Sequence, residues 1–468
     1  MRKISKVATT VASMLACAVV LTACGTGIGQ QSPPASGTDT PQTPRPGKLL
    51  IGQDALIGDW RSDAPMVRRK ITVDDLPAPY ASHSSNNQPH WAPRPDGAMP
   101  NVPQGFKVQL YATGLGGPRH LATAPNGDIF VTESGANDIK ILRGIDAGGK
   151  ALQSSVFATG LHQPFGLAFY PTGPNPKYVY IANTGSVIRY AYKNGDLVAT
   201  GQPEMIVPDI PGGGHLTGGG HWTRDIAFSL DNRKMFVSVG SHSNVDDSPA
   251  EFHRADILEY SPEGADFRIY ASGIRNPVGI AVDPRTGLLW TSVNERDDIG
   301  DLLPPDYITH VEDGGFYGWP WYYLGSHQDP RHKGEHPELS GHVIVPDVLL
   351  QAHYASLQMA FYNARQFPKY FQGGAFACEH GSWNRSHRNG YSVIFIPIKN
   401  GKAVGEFDDF MTGFVVDDGN VWGRPVGVTV GNEGSLYISD DASNSVWRVT
   451  YTGRIRTHEM KLSSGTTN

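Results

Sequence analysis

The chain has 468 residues, of which 45 are acidic and 39 are basic, and its formal net charge is −6 at pH 7. A mildly acidic chain without a run of basic residues has no electrostatic attraction for nucleic acid or for an anionic membrane surface, so the composition argues against both as partners. A chain of this length can bury a large apolar core without disulfide bonds.

The N-terminus, residues 1–23, has the pattern of a bacterial lipoprotein signal peptide. Three basic residues precede an apolar run over residues 7–21, and the small residues that follow end at Cys24. The run is shorter than the ~20 residues that a membrane-spanning helix needs. We therefore expect lipidation of Cys24 and anchoring to a membrane of the cell envelope, with the protein facing the periplasm or the exterior. The alternatives are an ordinary secretory signal and a membrane helix.

Residues 24–47 are predicted to form a disordered tether. They are rich in Pro, Gly, Ser, Thr and Gln, and such a segment cannot bury enough apolar surface to fold. Of the three cysteines, Cys17 would leave with the signal peptide and Cys24 would carry lipid. Cys378 then has no partner for an internal disulfide, and we interpret it as a small core residue.

The body of the chain, residues 106–455, repeats one design six times. In each copy a short apolar strand follows a Pro or polar loop, a turn such as PNG, DPRTG or GNEG intervenes, and a second strand ends in polar residues. A repeat of about 45 to 60 residues with four short strands is typical of a β-propeller blade, whereas a β-sandwich or a barrel does not recur in this way. The sequence therefore predicts an all-β, six-bladed β-propeller. The six copies are residues 118–133, 164–183, 221–240, 276–295, 357–381 and 424–441.

The two ends of the body are predicted to meet in one blade. Residues 105–115 have the pattern of a strand before the first copy, and residues 445–453 that of a strand after the last, so pairing between them would close the ring and remove exposed edges. Residues 48–105 are expected to be an extension that packs on the propeller, and residues 456–468 a tail. The largest insertion between copies, residues 322–356, is expected to wall the pocket.

Four motifs follow one another along the body: GDWRSDAP at 58–65, NERD at 294–297, GGFYGWPW at 314–321 and EHGSWNRS at 379–386. With the acidic loop inside residues 273–320, they resemble the quinoprotein sugar dehydrogenases, the group of the soluble glucose dehydrogenase and L-sorbosone dehydrogenase. The resemblance covers roughly residues 50–455. It implies a propeller that carries pyrroloquinoline quinone (PQQ) and Ca²⁺ and that oxidises a sugar or a sugar-derived aldehyde.

His221 is the catalytic base that this resemblance implies, because it lies immediately before the apolar strand of the third copy. Oxidation of a sugar hydroxyl or an aldehyde hydrate requires removal of the hydroxyl proton as hydride leaves carbon, and imidazole titrates near neutral pH. His215, in the same glycine-rich stretch, is the less favoured candidate. On the residues alone, a single histidine is more often a structural hydrogen-bonding group than a base.

PQQ carries three carboxylates, which require arginine or other polar donors at fixed positions. Arg424, at the start of the sixth copy, is the strongest candidate that the resemblance implies. The glucose enzymes have a cofactor-binding lysine where this chain has the EHGSWNRS motif, and this departure favours the sorbosone branch. The other implied cofactor-binding residues are Asn244, His380, Ser382, Asn384, His162 and Arg224.

The calcium ligands implied by the resemblance lie in the loop after the second strand of the fourth copy. Glu295 and Arg296 are the positional counterparts of the family's main-chain carbonyl donors, with Asn294 and Tyr317 as further candidates. The side chains of the loop differ from those of the glucose enzymes. The neighbouring acids could instead form a solvated loop; they are Asp297, Asp298, Asp301 and Asp306.

The sequence contains no Cys-X-X-Cys-His haem motif, so electrons from the reduced cofactor would leave to a separate acceptor, a quinone or a cytochrome. It also contains no glycine-rich nucleotide motif in the required context. Two other functions stay open. A six-bladed metal-dependent lactonase would need carboxylates from several blades at the axis, where this chain supplies mainly His, Arg, Pro and Asn. A non-catalytic propeller would bind envelope sugars or proteins.

Overall fold

The computed structural model of the chain describes residues 46–212 and 220–453. The predicted signal peptide, the lipidation site Cys24, nearly all of the tether, His215 and the predicted tail lie outside these ranges. Within them the protein is built almost entirely from β-strands. None of the helices in these ranges has the length and apolarity required to cross a bilayer.

The extension before the propeller contains β1 (Leu49–Ile51), α1 (Gln53–Leu56), β2 (Arg68–Lys70) and β3 (His90–Trp91). Strand β2 pairs with the outer edge of the fifth blade, and β1 pairs in parallel with β2, so both strands widen that blade. Arg69 of β2 is fully buried, and its guanidinium donates to Asp409 at 2.8 Å and to Asp63 at 2.7 Å. This buried ion pair joins the extension to the propeller.

Six four-stranded antiparallel blades follow, and each predicted copy forms the first two strands of one blade. The predicted six-bladed β-propeller is therefore confirmed. The strand that leads into the ring is β4 (Phe106–Thr113). Blade one is β5 (Pro118–Thr123), β6 (Ile129–Glu133), β7 (Asp138–Arg143) and β8 (Gln153–Ala158). Blade two is β9 (Leu167–Tyr170), β10 (Tyr178–Asn183), β11 (Ser186–Ala191) and β12 (Glu204–Val207). Blade three is β13 (Ile226–Phe228), β14 (Met235–Val239), β15 (Asp256–Tyr260) and β16 (Arg268–Ala271).

The last three blades carry the insertions. Blade four is β17 (Pro277–Val282), β18 (Leu289–Val293), β19 (Pro305–His310) and β22 (Val348–Ala352), with the hairpin of β20 (Tyr322–Tyr323) and β21 (His327–Gln328) before its last strand. Blade five is β23 (Ser356–Phe361), β24 (Ala375–Glu379), β25 (Ser392–Ile396) and β28 (Phe407–Met411), with β26 (Ile398–Lys399) and β27 (Lys402–Ala403) inserted. After β29 (Asn420–Val421), blade six is β30 (Pro425–Val430), β31 (Leu436–Asp440) and β32 (Ser445–Tyr451), completed by β4. Short 3-10 helices span Val73–Asp75, Pro249–Glu251, Pro330–His332, Pro337–His342 and Lys369–Phe371.

The ring closes between the two ends of the propeller, as predicted. Strand β4 runs antiparallel to β32, with Phe106 opposite Tyr451 and Thr113 opposite Ser445. Phe106 of the closing blade packs against blade five, where its ring meets those of Phe367 and Phe410 edge to face at centroid distances of 4.7 and 5.2 Å. The pairing covers the edge of β32, and β4 becomes the outermost strand of the blade.

The innermost strands of the blades contact one another around the axis and begin irregularly. In blades one, four, five and six, the pairing between the first and second strands shifts register at the start of the first strand. Such a shift changes the direction of the side chains beside it, which is one reason that bulges occur next to functional sites. Cys378, by contrast, lies inside β24 and is fully buried, and burial raises the pKa of its thiol well above 9.

Candidate active site

A cavity of about 750 Å³ opens at the irregular ends of the innermost strands. Its walls come from the segments that begin blades one, three, four, five and six, together with the N-terminal extension. Six residues predicted from the sequence line it: His221, Arg424, His380, Asn384, Asn294 and Glu295. Six others are absent from its lining: Asn244, Ser382, His162, Arg224, Arg296 and Tyr317.

The hydrogen bonds of His221 determine which of its ring nitrogens carries the proton. Nδ1 lies 2.8 Å from the carbonyl oxygen of Ser241 and 3.1 Å from its Oγ, and that hydroxyl donates its own proton to the Ser243 carbonyl. Both partners of Nδ1 are therefore acceptors, so Nδ1 is the donor and Nε2 carries the lone pair of the neutral ring. Among the described residues Nε2 has no hydrogen-bond partner.

The charge state of His221 follows from its surroundings. Burial, and after it the positive charge of Arg275, lower the pKa of the imidazole well below 6.5. The ring is therefore neutral at pH 7. A neutral imidazole with a free Nε2 on the wall of a cavity is in the state that a general base requires.

A buried arginine holds the backbone around His221. Arg254 is 4% exposed, and it donates through Nη2 to the carbonyls of His221 and Ser241, both at 3.0 Å, and through Nε to that of Gly240 at 3.0 Å. The carbonyl of Ser241 thus accepts from both Arg254 and the His221 ring. This shared acceptor fixes the orientation of the imidazole.

A second polar cluster lies on blades five and six. Arg424 donates through Nη2 to Nδ1 of His380 at 2.6 Å, and Nε2 of the same ring donates to the carboxylate of Asp441 at 3.0 Å. Arg119 of blade one binds Asp441 as well. Burial and Arg424 lower the pKa of His380 to about 3, and the adjacent His380 and Arg119 hold that of Asp441 well below its usual range.

This cluster carries one excess positive charge, since two guanidinium groups face one carboxylate and a neutral imidazole. Nη1 of Arg424 has no partner among the described residues and is free to bind an anion. The guanidinium of Arg424 also lies 4.9 Å from the ring centroid of Trp91, which comes from the extension and lines the cavity. The arrangement is suited to a carboxylate ligand.

The third arginine of the cavity, Arg275, lies in the loop that leads into blade four. Its Nη1 donates to the carbonyl of Glu295 at 2.6 Å, and its Nη2 donates to Oδ1 of Asn244 and Oδ2 of Asp297, both at 3.0 Å. Asn276 beside it also lines the cavity, and its Oδ1 is buried without a partner in the described structure. Sequence reasoning missed both residues.

Three predicted PQQ-binding residues have other positions. Arg224 is fully buried, and its guanidinium donates to the backbone carbonyls of Thr223, His221 and Pro211. Ser382 is also fully buried, with its hydroxyl accepting from the amide of Asn389 at 3.3 Å. His162 is exposed outside the cavity lining.

Asn244, the remaining predicted PQQ ligand outside the lining, instead supports Arg275 and accepts at Oδ1 from the amide of Asp297 at 2.8 Å. The side chains of two residues predicted to bind calcium turn into the protein interior, although the donor predicted for Arg296 is its main-chain carbonyl. The hydroxyl of Tyr317, which is 1% exposed, donates to the carbonyl of His310 at 2.9 Å. The fully buried Arg296 donates to the carbonyls of Pro320 at 2.7 Å and Tyr322 at 2.6 Å.

The insertion of blade four has a smaller part in the cavity than expected. Of residues 322–356, the cavity is lined by His353 and Ala355. The earlier part of the segment supports the loop that carries Asp297 from outside, because Arg331 donates to the carbonyl of Asp297 at 3.0 Å. The insertion thus contributes to the wall through its last residues, and the extension supplies further wall residues such as Gln88 and Trp91.

The residues present fit PQQ. The cavity lies within the ~300–1,000 Å³ that small-molecule sites occupy. It presents arginines on two sides, and Asn276 Oδ1 and Arg119 Nε are buried polar atoms that lack a partner in the described structure. Buried polar atoms of this kind are costly unless a ligand or water satisfies them. A flat polycarboxylate is the class of ligand that matches these groups.

The predicted calcium ligands do not form a matching set. Of Asn294, Glu295, Arg296 and Tyr317, the first two line the cavity, and the carbonyl of Glu295 is already bound to the cation of Arg275. Of the acids of the loop, Asp301 and Asp306 are buried, at 9% and 2% exposed, whereas Asp298 is exposed to solvent. In the described ranges, the three acidic or histidine side chains close enough to share a metal are Asp247, His332 and Glu335, which lie outside the cavity lining.

Comparisons with known proteins agree with this fold. The TrAA12-like family model matches residues 100–304 and 338–452. The PQQ-dependent pyranose dehydrogenase of Coprinopsis cinerea is 25% identical over 423 residues, which cover 76% of this chain and 55% of that protein. This chain thus spans about half the length of that curated relative.

Two solved structures are similar to the chain throughout the propeller. The holo form of the PQQ domain of the Coprinopsis cinerea enzyme has a TM-score of 0.62 and 22% identity, and the match covers 78% of this chain and 99% of that one. A calcium structure of the Trichoderma reesei family AA12 protein has a TM-score of 0.64 and 19% identity, with 78% and 99% coverage. At such identities these likenesses show a shared fold.

Proposed function

The chain belongs to the TrAA12-like family of PQQ-dependent sugar dehydrogenases, and from that premise we propose that it oxidises a sugar or a sugar-derived aldehyde with PQQ as the hydride acceptor. One observation carries the proposal. A neutral histidine with a free Nε2 and an arginine cluster suited to carboxylates line the same cavity. The family match and these two features support the same reaction, which is oxidation with PQQ as the hydride acceptor.

The cofactor would be held by residues of the cavity wall. Arg424 and Arg119 are suited to its carboxylates, and Asn384 and Asn276 supply neutral polar groups. When bound, PQQ supplies the redox chemistry, because its quinone accepts the hydride from the sugar carbon. The protein supplies binding, orientation and a site for the proton.

His221 would take the proton of the reacting hydroxyl at Nε2 while the C–H bond of the same carbon breaks. The hydroxyl becomes a carbonyl, so a proton leaves to His221 and two electrons leave with the hydride. The Nδ1–H bond to Ser241 and the clamp of Arg254 keep Nε2 directed at the cavity. Burial also keeps the ring free of a proton at neutral pH, so the base is available before substrate arrives.

The substrate is proposed to be an aldose or an aldehyde of the sorbosone type, and the electron acceptor a separate quinone or cytochrome. The departures of the EHGSWNRS segment from the glucose enzymes support the first point. The haem motif that would retain electrons in the chain is absent from the sequence, which supports the second.

A dye-linked oxidation assay tests the function. Purified protein incubated with PQQ should reduce an artificial electron acceptor when an aldose or a sugar aldehyde is added, and should not do so without PQQ. Hydrolysis of lactones without PQQ would instead support a lactonase. Sugar binding without oxidation, under conditions in which PQQ is bound, would support a non-catalytic role.

Anchoring to the cell envelope through Cys24 is a further part of the proposal, supported by the LTAC pattern at 21–24. The mature protein should begin at Cys24, carry lipid and partition into detergent. Cys24→Ser should release it as a soluble protein. Mass spectrometry of the N-terminus provides the measurement, and an intact N-terminus or a lipid-free cleavage product would contradict the anchor.

A further inference from the structure

The guanidinium of Arg275 lies among oxygen atoms on the cavity wall. Besides Glu295, Asp297 and Asn244 Oδ1, it donates through Nε to the carbonyl of Asn244 at 3.2 Å, and Nη1 lies 3.5 Å from the carbonyl of Asn294. Five oxygens from two segments, Asn244 and the loop 294–297, thus surround one buried cation that is 5% exposed. Carbonyl and carboxylate oxygens are also the ligands of a hard metal ion.

These oxygens include the group that the family resemblance assigns to calcium. Calcium requires six to eight oxygen ligands at about 2.3–2.6 Å. The carbonyl of Glu295 instead lies 2.6 Å from Nη1 of Arg275. A calcium ion at this carbonyl would have to displace a guanidinium that is held by four other oxygens.

Two more arginines anchor the same short loop, Arg296 from within it and Arg331 from outside. Arg296 binds the carbonyls of Pro320 and Tyr322, and Arg331 donates to the carbonyl of Asp297 at 3.0 Å. Each of the three guanidinium groups is paired with a carboxylate: Arg275 with Asp297, Arg296 with Glu295 and Arg331 with Asp329. The carboxylates of Glu295 and Asp297 are therefore engaged by arginines, which makes them less available to a metal ion.

We infer that Arg275 is the cationic group at the reacting end of the cofactor and takes the place of the calcium ion, so that PQQ binding and turnover need no divalent metal. This inference rests on the proposed function and concerns the same site. Arg275 and His221 line the same cavity, and the carbonyl of Arg275 accepts at 2.7 Å from the amide of Ser241, the residue that holds the His221 ring. A guanidinium donor beside the base is positioned to bind a quinone oxygen and to stabilise the negative charge that it gains.

The experiment measures PQQ binding by fluorescence quenching, with protein that has been dialysed against EDTA, and repeats it with Ca²⁺ or Mg²⁺ added. We expect the same Kd under all three conditions, within about twofold. Dye-linked turnover should likewise survive EDTA.

Arg275→Met removes the charge and keeps most of the side-chain volume. We expect PQQ affinity in EDTA to fall about 10²-fold, as for the loss of charge-assisted hydrogen bonds. Millimolar Ca²⁺ should restore part of it, because the freed oxygens can then accept the metal. Arg275→Lys keeps a charge without the planar fork and should lie between wild type and Arg275→Met. Arg233→Met, at an 82% exposed surface side chain, is the control and should change nothing.

The outcomes distinguish a failure of the inference about Arg275 from a failure of the proposed function. If EDTA abolishes PQQ binding by the wild type and Ca²⁺ restores it, the metal is required and the inference about Arg275 is wrong, while the proposed function stands. If Arg275→Met melts at the wild-type temperature and binds PQQ equally well in EDTA, Arg275 is not the cation of the site. If the wild type binds no PQQ under any metal condition, the proposed function is contradicted and the inference with it.

Discussion

His221→Ala should lower turnover by a factor on the order of 10² to 10⁴, the range found when a positioned general base is removed. The loss should appear in kcat more than in KM, because proton removal matters chiefly in the transition state. PQQ affinity should stay close to that of the wild type, because the hydrogen bond of the His221 ring is made to Ser241 and not to a residue proposed to hold the cofactor. Turnover and PQQ titration of the same preparation measure both quantities.

The pH dependence of the wild type gives a second readout for His221. The imidazole must be unprotonated to act, and its pKa in the folded protein lies well below 6.5. The value of kcat/KM should therefore be retained as pH falls through 6.5 and be lost only below that range, where the ring takes up a proton. A decline centred near 6.5 would indicate a histidine with an ordinary pKa.

His215→Ala is the control, because His215 is the other histidine of the glycine-rich stretch, and it should cost much less turnover. Equal losses in the two variants would contradict the assignment of His221 as the base. Near-normal turnover of His221→Ala with bound PQQ would do the same and leave the imidazole a structural role.

The propeller could be predicted from the sequence because each blade begins with two strands that are adjacent along the chain. The first two strands of a blade are joined by a short turn with recognisable residues, so six such units stand out without knowledge of distant contacts. The widening of blade five by β1 and β2 could not be predicted from the sequence. Arg68 of β2 pairs with Asp408, and strands of three residues are too short to show a period.

Part of the candidate site could be predicted from the sequence for a related reason. Arg119, Arg275 and Arg424 all lie within two residues of the first residue of an innermost strand, and all three line the cavity. Arg424 was predicted from its match to one family, whereas Arg119 and Arg275 were not predicted, although the repeats place them at similar positions. Comparing the residues that lead into the six inner strands would have identified all three.

Two further differences between the predicted site residues and the observed cavity lining have other physical causes. Arg224 was implied by the family resemblance, but its guanidinium lies among buried backbone carbonyls and is absent from the cavity lining. Trp91 and Gln88 come from the extension, which carries none of the repeat pattern. Their place in the cavity depends on long-range contacts such as the pairing of Trp91 with Val421.

Arg424→Ala should weaken PQQ binding on the order of 10²-fold, because a hydrogen bond between charged groups contributes about 1.5–3 kcal/mol and each 1.4 kcal/mol is a factor of ten. In the wild type, Nε and Nη2 of Arg424 are used by the carbonyl and Nδ1 of His380, which hold Nη1 toward the cavity. The variant loses both the anion-binding nitrogen and the charge that faces the carboxylate. Fluorescence quenching by PQQ measures the change in Kd.

Arg448→Ala is the matched control for Arg424, because Arg448 lies in the same blade on β32 and forms an ion pair with Glu433 outside the cavity lining. It should leave the Kd for PQQ within about twofold, since screened pairs near the surface contribute little. Circular dichroism melts of both variants separate loss of binding from loss of fold. If folded Arg424→Ala binds PQQ as tightly as Arg448→Ala does, the carboxylates of the cofactor are held elsewhere, and the cluster of Arg424, His380, Asp441 and Arg119 has a structural role.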